Sequence, residues 1–151
     1  MNGTGNLVKT GSGTLILNNG ANGYGGTTTI AGGTLSVSAG AYLGPARTNT
    51  ATQATFSANS TLQVTGTSGF NGTRGFQIDD GVTGSINVTS TSSQVSGPII
   101  GSNANSGALN RLGSSTLLLG GTNTYGRSTA ITTASVTSAR SGSPQACTPT
   151  T

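Results

Sequence analysis

Residues 7–17 read LVKTGSGTLIL, and residues 109–119 read LNRLGSSTLLL. The two stretches align without a gap at an offset of 102. At an offset of 101 the alignment continues between residues 22–30 (NGYGGTTTI) and residues 123–131 (NTYGRSTAI). Of these 20 aligned positions 11 are identical, whereas a chain of this composition would match at about 2 by chance. The chain therefore contains an internal repeat, with copies near residues 7–38 and 109–137.

A shorter period lies inside the repeat. The triplet GTL at residues 13–15 returns at residues 33–35, and STL at residues 60–62 and 115–117 is a weaker copy. A short strand and a Gly/Asn turn that recur about every 20 residues are typical of solenoid coils. At that spacing the chain is predicted to form about seven coils, and the offset of 102 about five.

Apolar residues are few and occur in short alternating runs. Leu, Ile, Val and Phe sum to 28 of 151 residues, in segments such as LQV at 62–64, FQI at 76–78 and INV at 86–88. This alternation is typical of half-buried strands, and so few large side chains fill only a narrow core. The 87 Gly, Thr, Ser and Asn residues suit sharp corners and outward strand positions. The fold class is predicted to be all-β, a parallel β-solenoid, with corners at Gly25-Gly26 and Gly32-Gly33.

Several classes of function are excluded by composition. The chain has no His, one Cys and two acidic residues, so histidine-based catalysis, a histidine-containing zinc site and an internal disulfide are excluded. No apolar run reaches the roughly 20 residues of a membrane helix, so membrane insertion is not expected. The six Lys and Arg residues are scattered singly, and we predict no nucleic-acid partner. We predict no catalytic, cofactor-binding or metal-binding residue, and no cofactor.

Asp79 and Asp80 form the one acidic pair. The pair has three possible interpretations: a turn, a weak cation site and a catalytic pair. Neighbours in a strand point to opposite faces, and no further carboxylate completes a glycosidase pair. The turn is favoured, since Asp80-Gly81 is a common turn sequence.

Lys9 and Arg111 occupy the same repeat position, as do Tyr24 and Tyr125. They are either ligand contacts or structural residues, with the cation solvated at a coil edge and the Tyr covering a turn. We favour the structural interpretation.

Thr pairs suggest a flat ice-binding face, but their spacing is irregular. Thr as an outward strand residue is therefore favoured over an ice-binding array. The pairs lie at residues 27–29, 48–52, 65–67 and 122–124.

The pattern LxKTGxGTLxL at residues 7–17, followed by NxYxGxTxI at 22–30 and GTL at 33–35, resembles the autotransporter-associated β-strand repeat, or passenger-associated transport repeat. The similarity extends over roughly residues 5–137, and the second copy is degraded. The resemblance implies a right-handed parallel β-helix in a type V secreted or repetitive bacterial surface protein. It also implies an extracellular or cell-surface location, and a stalk or adhesive surface without catalysis.

The predicted organisation is a repeat region over residues 1–137 and an irregular or disordered tail over residues 138–151. No signal peptide sequence is present, so we expect the chain to be part of something longer. The favoured hypothesis is a non-catalytic structural segment with an adhesin role. The alternatives are a glycan- or surface-binding module and a polysaccharide-degrading β-helix enzyme. Expected partners are glycans or host and environmental surfaces, with self-association through exposed coil ends.

Overall fold

The computed structural model describes residues 1–46, 52–71, 73–103 and 106–126, together with the backbone of 130–131 and 136–138. These residues form sixteen strands and one short 3-10 helix. The strands are β1 (Asn2–Gly3), β2 (Leu7–Lys9), β3 (Thr14–Leu17), β4 (Gly23–Tyr24), β5 (Thr28–Ile30), β6 (Thr34–Val37), β7 (Ala54–Phe56), β8 (Ser60–Val64), β9 (Phe76–Ile78), β10 (Thr83–Val88), β11 (Ser92–Val95), β12 (Ile99–Gly101), β13 (Ala108–Leu112), β14 (Thr116–Leu119), β15 (Ala130–Ile131) and β16 (Val136–Ser138). The 3-10 helix spans Gly40–Leu43.

The strands form three main sheets and one short pair. The five-stranded sheet has the order β2-β5-β7-β9-β12, the six-stranded sheet β3-β6-β8-β10-β13-β15, and the three-stranded sheet β11-β14-β16, while β1 pairs with β4. Every pairing is parallel. Neighbours in each sheet come from successive passes of the chain. This arrangement confirms the predicted all-β parallel β-solenoid.

The coils are longer than the sequence period indicated. Leu7, Thr28, Ala54, Phe76 and Ile99 are equivalent positions in the five-stranded sheet, so successive coils contain 21, 26, 22 and 23 residues. The described chain therefore forms about five coils, and the predicted seven is wrong. The GTL spacing of 20 residues equals the length of one short coil only. The other coils are longer because their corners contain more residues.

The two repeat copies lie on different sides of the solenoid. Lys9 is in β2 of the five-stranded sheet, but Arg111 is in β13 of the six-stranded sheet; Leu15 is in β3 of the six-stranded sheet, but Leu117 is in β14 of the three-stranded sheet. The offset of 102 residues thus corresponds to four coils and one further side, not to five coils. The first aligned stretch of the repeat is two strands and the corner between them, and it fits different pairs of adjacent sides.

The GTL triplets divide in the same way. Thr14, Thr34 and Thr61 are aligned across β3, β6 and β8, as the sequence period predicts. Thr116 is in β14, which pairs with β11 in another sheet. The triplet at residues 115–117 therefore belongs to the second copy of the internal repeat, and it is not aligned with the other three triplets in successive coils.

The core is a narrow column between the sheets. In the six-stranded sheet Leu35, Leu62 and Ile86 are stacked in register and fully buried. In the five-stranded sheet Ile30, Phe56 and Ile78 form a second buried row. Residues between these inward positions are polar and half-buried, such as Thr61 and Gln63 in β8. A few apolar side chains suffice because each coil needs only a few inward positions per side.

Two glycines show how closely the coils approach each other. Gly33 has φ +60°, and a Cβ there would lie 2.4 Å from the Gly13 carbonyl oxygen. A Cβ on Gly84 would lie 2.9 Å from the Phe56 ring. The first position is a corner, as predicted for Gly32-Gly33, and the second gives an aromatic side chain room in the column.

The predicted tail over residues 138–151 falls outside the described residues except for the backbone of Ser138, the last residue of β16. Among the described residues, no helix has the length and hydropathy needed to cross a bilayer.

Candidate functional site

Lys9 ends β2 at an inward position, beside Ile30 of the next coil, and is 6% exposed. Its Nζ donates to the carbonyl oxygens of Thr10 and Gly11, at 2.7 and 2.9 Å. A third hydrogen bond, of 3.0 Å, reaches the carbonyl oxygen of Gly32 at the corner of the next coil. All three ammonium protons therefore have an acceptor, which offsets the cost of burying the charge.

Arg111 repeats this arrangement in the second copy. It lies beside Ile86, in register with the apolar row of the six-stranded sheet, and is fully buried. Its Nη1 donates to the Gly113 carbonyl oxygen at 3.3 Å, and its Nη2 donates to that of Ser115. Burial lowers the pKa of Arg111.

The prediction of a solvated cation at a coil edge is therefore wrong for Lys9 and Arg111. Each long stem continues an inward row, and each charged head bonds carbonyl oxygens that the sharp corner leaves without strand partners. Both side chains are structural, as the favoured interpretation has it. Their role, however, is to link the buried apolar column to the adjoining corner through hydrogen bonds.

The paired tyrosines also belong to the column. Tyr24 is buried in β4, and its hydroxyl lies 2.7 Å from Thr28 Oγ1. Burial raises the pKa of Tyr24, with smaller lowering effects from the Thr28 hydrogen bond and the charge of Arg74. Tyr125 is half-buried against the core.

The acidic pair lies in a turn, as the favoured interpretation predicts. The Val82 amide donates to the Asp79 carbonyl oxygen at 3.1 Å, and Gly81 has φ +72°. The Asp79 carboxylate accepts a hydrogen bond of 2.9 Å from Gln77 Nε2, while Asp80 is exposed. In the described part of the chain, no three His, Cys, Asp or Glu residues cluster as metal ligands would.

The Thr pairs singled out in the sequence do not form an array. Thr28 points into the column, and Thr29 is aligned with Thr55 of the next coil. Residues 48–50 lie outside the described residues. The longest Thr row is instead Thr14, Thr34 and Thr61 on the six-stranded sheet.

A groove of about 450 Å³ lies at the start of β6, β8 and β10 and is rich in hydroxyl groups. Thr34, Thr61 and Ser85 follow one another across the three strands in register. The Asn59 side chain is held by its Oδ1, which accepts a hydrogen bond of 2.8 Å from the Thr83 amide. The remaining lining residues are Gly33 and Ser60. Sequence reasoning missed this groove, although the aligned triplets at 33–35 and 60–62 could have indicated it.

A second groove, of about 430 Å³, lies beside the 3-10 helix and contains Arg74. Arg74 Nη1 donates to the carbonyl oxygens of Gly40 and Gly44 at 2.7 and 2.9 Å, on either side of the helix. Burial lowers the pKa of Arg74, and the proximity of Tyr24 opposes this shift. Small residues line the groove, together with Ser68 and Asn71. No motif surrounds Arg74 in the sequence, so no local pattern could have indicated this groove.

Comparison with known proteins agrees with this architecture. Residues 7–37 match the passenger-associated-transport-repeat family. Over 130 residues, or 82% of its length, the chain is 37% identical to the protein described as adhesin BmaC autotransporter from Brucella suis biovar 1 (strain 1330). The chain spans 4% of the length of that relative. No solved structure matches the chain significantly.

The matched residues run from β2 to β6 and include the corner that Lys9 binds, so the family pattern covers one coil and the first two strands of the next. Its second, rotated copy spans β13 to β16. The chain belongs to the passenger-associated-transport-repeat family of autotransporter passengers.

Proposed function

We propose that the chain is a non-catalytic structural part of a surface-displayed autotransporter passenger, where its coils lengthen a β-solenoid stalk. The observation that supports this most is the pairing of every coil with the next in parallel register around a buried apolar column. Such a unit contacts only its neighbours, so coils add length without changing the rest of the rod. The similarity to a protein described as an autotransporter adhesin supports a location outside the cell.

A display experiment tests this role. The chain is inserted between the tip and the membrane anchor of an autotransporter. Two quantities are then measured: the surface exposure of the tip and the protease resistance of the stalk. We expect the wild-type insert to be displayed and resistant to protease. Leu62→Asp places a carboxylate in the buried row and should abolish both, whereas Gln63→Asp, at the next, half-buried position, should not. Equal behaviour of the two variants, or degradation of the wild-type insert, would contradict the stalk role.

An adhesive role is the second candidate, and the hydroxyl groove on the six-stranded sheet favours it. Thr34, Thr61 and Ser85 present hydroxyl groups on successive strands, which suits hydrogen bonding to the hydroxyls of a glycan. Neutral oligosaccharides should bind the purified chain in a glycan array. Thr61→Val should weaken that binding, whereas Thr55→Val, on the five-stranded sheet, should not. Binding that is unaffected by Thr61→Val would contradict a glycan site in this groove.

A further inference from the structure

Three basic side chains are drawn into the fold: Lys9, Arg74 and Arg111. Lys9 and Arg111 direct their charge into corners of the backbone, and neither lines the two grooves described above. Arg74 differs, because it is half-buried and lines the groove beside the 3-10 helix. It is therefore the inward cation that remains accessible to a ligand.

The guanidinium of Arg74 is fixed in place while keeping unused donors. Its hydrogen bonds to Gly40 and Gly44 both come from Nη1. The described part of the chain offers no hydrogen-bond acceptor to Nε or Nη2. A guanidinium has five N–H donors in a rigid fork, which matches the two oxygens of a carboxylate. Arg74 thus resembles a pre-oriented half of a bidentate ion pair.

Among the described residues, the charge of Arg74 has no carboxylate counterpart. The two acidic side chains of the sequence, Asp79 and Asp80, lie in the turn after β9, where Asp79 accepts a hydrogen bond from Gln77. Burial and Tyr24 are the influences on the pKa of Arg74. An anion in the groove would therefore gain an ion pair without displacing an existing one.

The groove has the size and lining of a small-molecule site. Its volume of about 430 Å³ is within the roughly 300–1,000 Å³ range of such sites. Ala39, Ala41 and Gly69 give it a shallow apolar wall, while Ser68 and Asn71 add polar groups. Gly40 leaves room for the Arg74 side chain, since a Cβ there would lie 2.9 Å from Arg74 Cδ.

We propose that this groove binds an acidic sugar, with the sugar carboxylate on the Arg74 guanidinium and ring hydroxyls on Ser68 and Asn71. A single guanidinium balances one negative charge, which favours a carboxylate over a doubly charged phosphate. The apolar wall suits the C–H face of a sugar ring. This site is separate from the hydroxyl groove of the six-stranded sheet, and it adds a second, acidic ligand class to the proposed adhesive role.

Isothermal titration of the purified chain tests the proposal with an oligogalacturonate, its fully methyl-esterified form and sodium acetate. We expect the oligogalacturonate to bind and to weaken as salt is raised, because exposed ion pairs are screened. The methyl ester lacks the negative charge, and acetate lacks the sugar ring. Each should therefore bind at least about tenfold more weakly than the oligogalacturonate. Equal binding of the methyl ester or of acetate would overturn the proposal.

Two variants locate the site. Arg74→Gln should weaken oligogalacturonate binding at least about tenfold. Because Arg74 also holds the 3-10 helix, Ala41→Phe is the second variant: Ala41 is exposed, so the larger ring blocks the groove while leaving the guanidinium in place. Ala21→Phe, also exposed but outside the groove, is the matched control and should bind normally. Unchanged binding by folded Ala41→Phe would overturn the proposal. Absence of binding by a chain with an intact melting transition would overturn it too, while leaving the stalk role standing.

Discussion

At the scale of single residues, the buried cations are the feature most specific to this chain. Lys9 and Arg111 stand at the same repeat position, on different sheets, and both bond the carbonyl oxygens of the corner that follows. The side chains differ in shape, yet the result is the same. The position therefore selects a long cationic side chain, because an apolar residue would leave the corner oxygens without donors.

Lys9→Met tests this role because it keeps the apolar stem and removes the three donors. We expect the free energy of unfolding to fall by about 1–3 kcal/mol, the usual cost of leaving buried polar groups unsatisfied. Urea denaturation measures it, with Val8→Thr on the same strand as a control that should change stability by less than about 0.5 kcal/mol. A Lys9→Met variant as stable as the wild type would show that the corner oxygens find other donors.

Tyr24 should make the fold sensitive to alkali. Its pKa is raised from 10.0 in the folded state, mainly by burial, so the neutral hydroxyl is the form that the fold favours. Its contribution is present below the unfolded pKa and is lost as pH rises through the folded pKa. Stability measured by urea denaturation should therefore decline above about pH 10, and Tyr24→Phe should reduce that decline. An unchanged alkaline profile in Tyr24→Phe would assign the effect to other groups.

At the scale of elements, the corners determine where strands begin. Gly32 and Gly33 precede β6, and both have positive φ. Gly33 is also closely covered by the corner of the preceding coil, through the carbonyl oxygens of Gly11 and Gly13. The coil can turn here because glycine has no Cβ.

Gly33→Ala should therefore destabilise the fold strongly, by at least about 1–3 kcal/mol, since the new Cβ combines a positive φ with a close contact. Gly13→Ala is the matched control: a Cβ there has nothing within 4 Å. We expect that change to be neutral or slightly stabilising. Thermal unfolding of the two variants decides the matter, and equal melting temperatures would contradict the corner geometry.

The elements also show what the sequence could and could not predict. Alternation such as LQV at 62–64 gave the strands, and the aligned triplets at 13–15 and 33–35 gave two neighbouring coils in register. The number of coils could not be predicted, because corner length varies between coils and no local pattern encodes it. The buried position of Lys9 was also missed, since a charged side chain in an inward row is recognisable only when the corner oxygens around it are known.

The groove beside the 3-10 helix could not be predicted from the sequence for a related reason. Arg74 reaches Gly40 and Gly44 from 34 and 30 residues away, and such a contact depends on how two coils stack. No spacing within one coil carries that information.

At the scale of the whole molecule, the large apolar side chains that the described residues expose to solvent lie in the first coil. Val8 is 56% exposed and Ile16 is 66% exposed, and both are on strands that lie at the end of their sheets, β2 and β3. End strands with apolar side chains favour pairing with another chain. We therefore expect the isolated chain to self-associate with rising concentration.

Sedimentation velocity over a concentration series measures this association. The double variant Val8→Lys, Ile16→Lys should shift the distribution toward monomer, because charges at sheet edges oppose pairing. Thr29→Lys, Gln63→Lys places the same charges at half-buried positions of β5 and β8, which lie inside their sheets, and should have less effect. A chain that stays monomeric throughout the series would contradict the expectation.

Successive passes of the chain stack as parallel coils, and a crosslink between two neighbouring coils is the decisive test of this stacking. Thr29 and Thr55 are aligned on β5 and β7, so their Cα atoms should be about 4.8 Å apart, within disulfide range. In a Cys147→Ser background, Thr29→Cys with Thr55→Cys should form an intramolecular disulfide under mild oxidation. Thr29→Cys with Gln77→Cys, two coils apart, should not, because roughly 9.6 Å exceeds that range. A crosslink in the second pair and none in the first would contradict the solenoid described above.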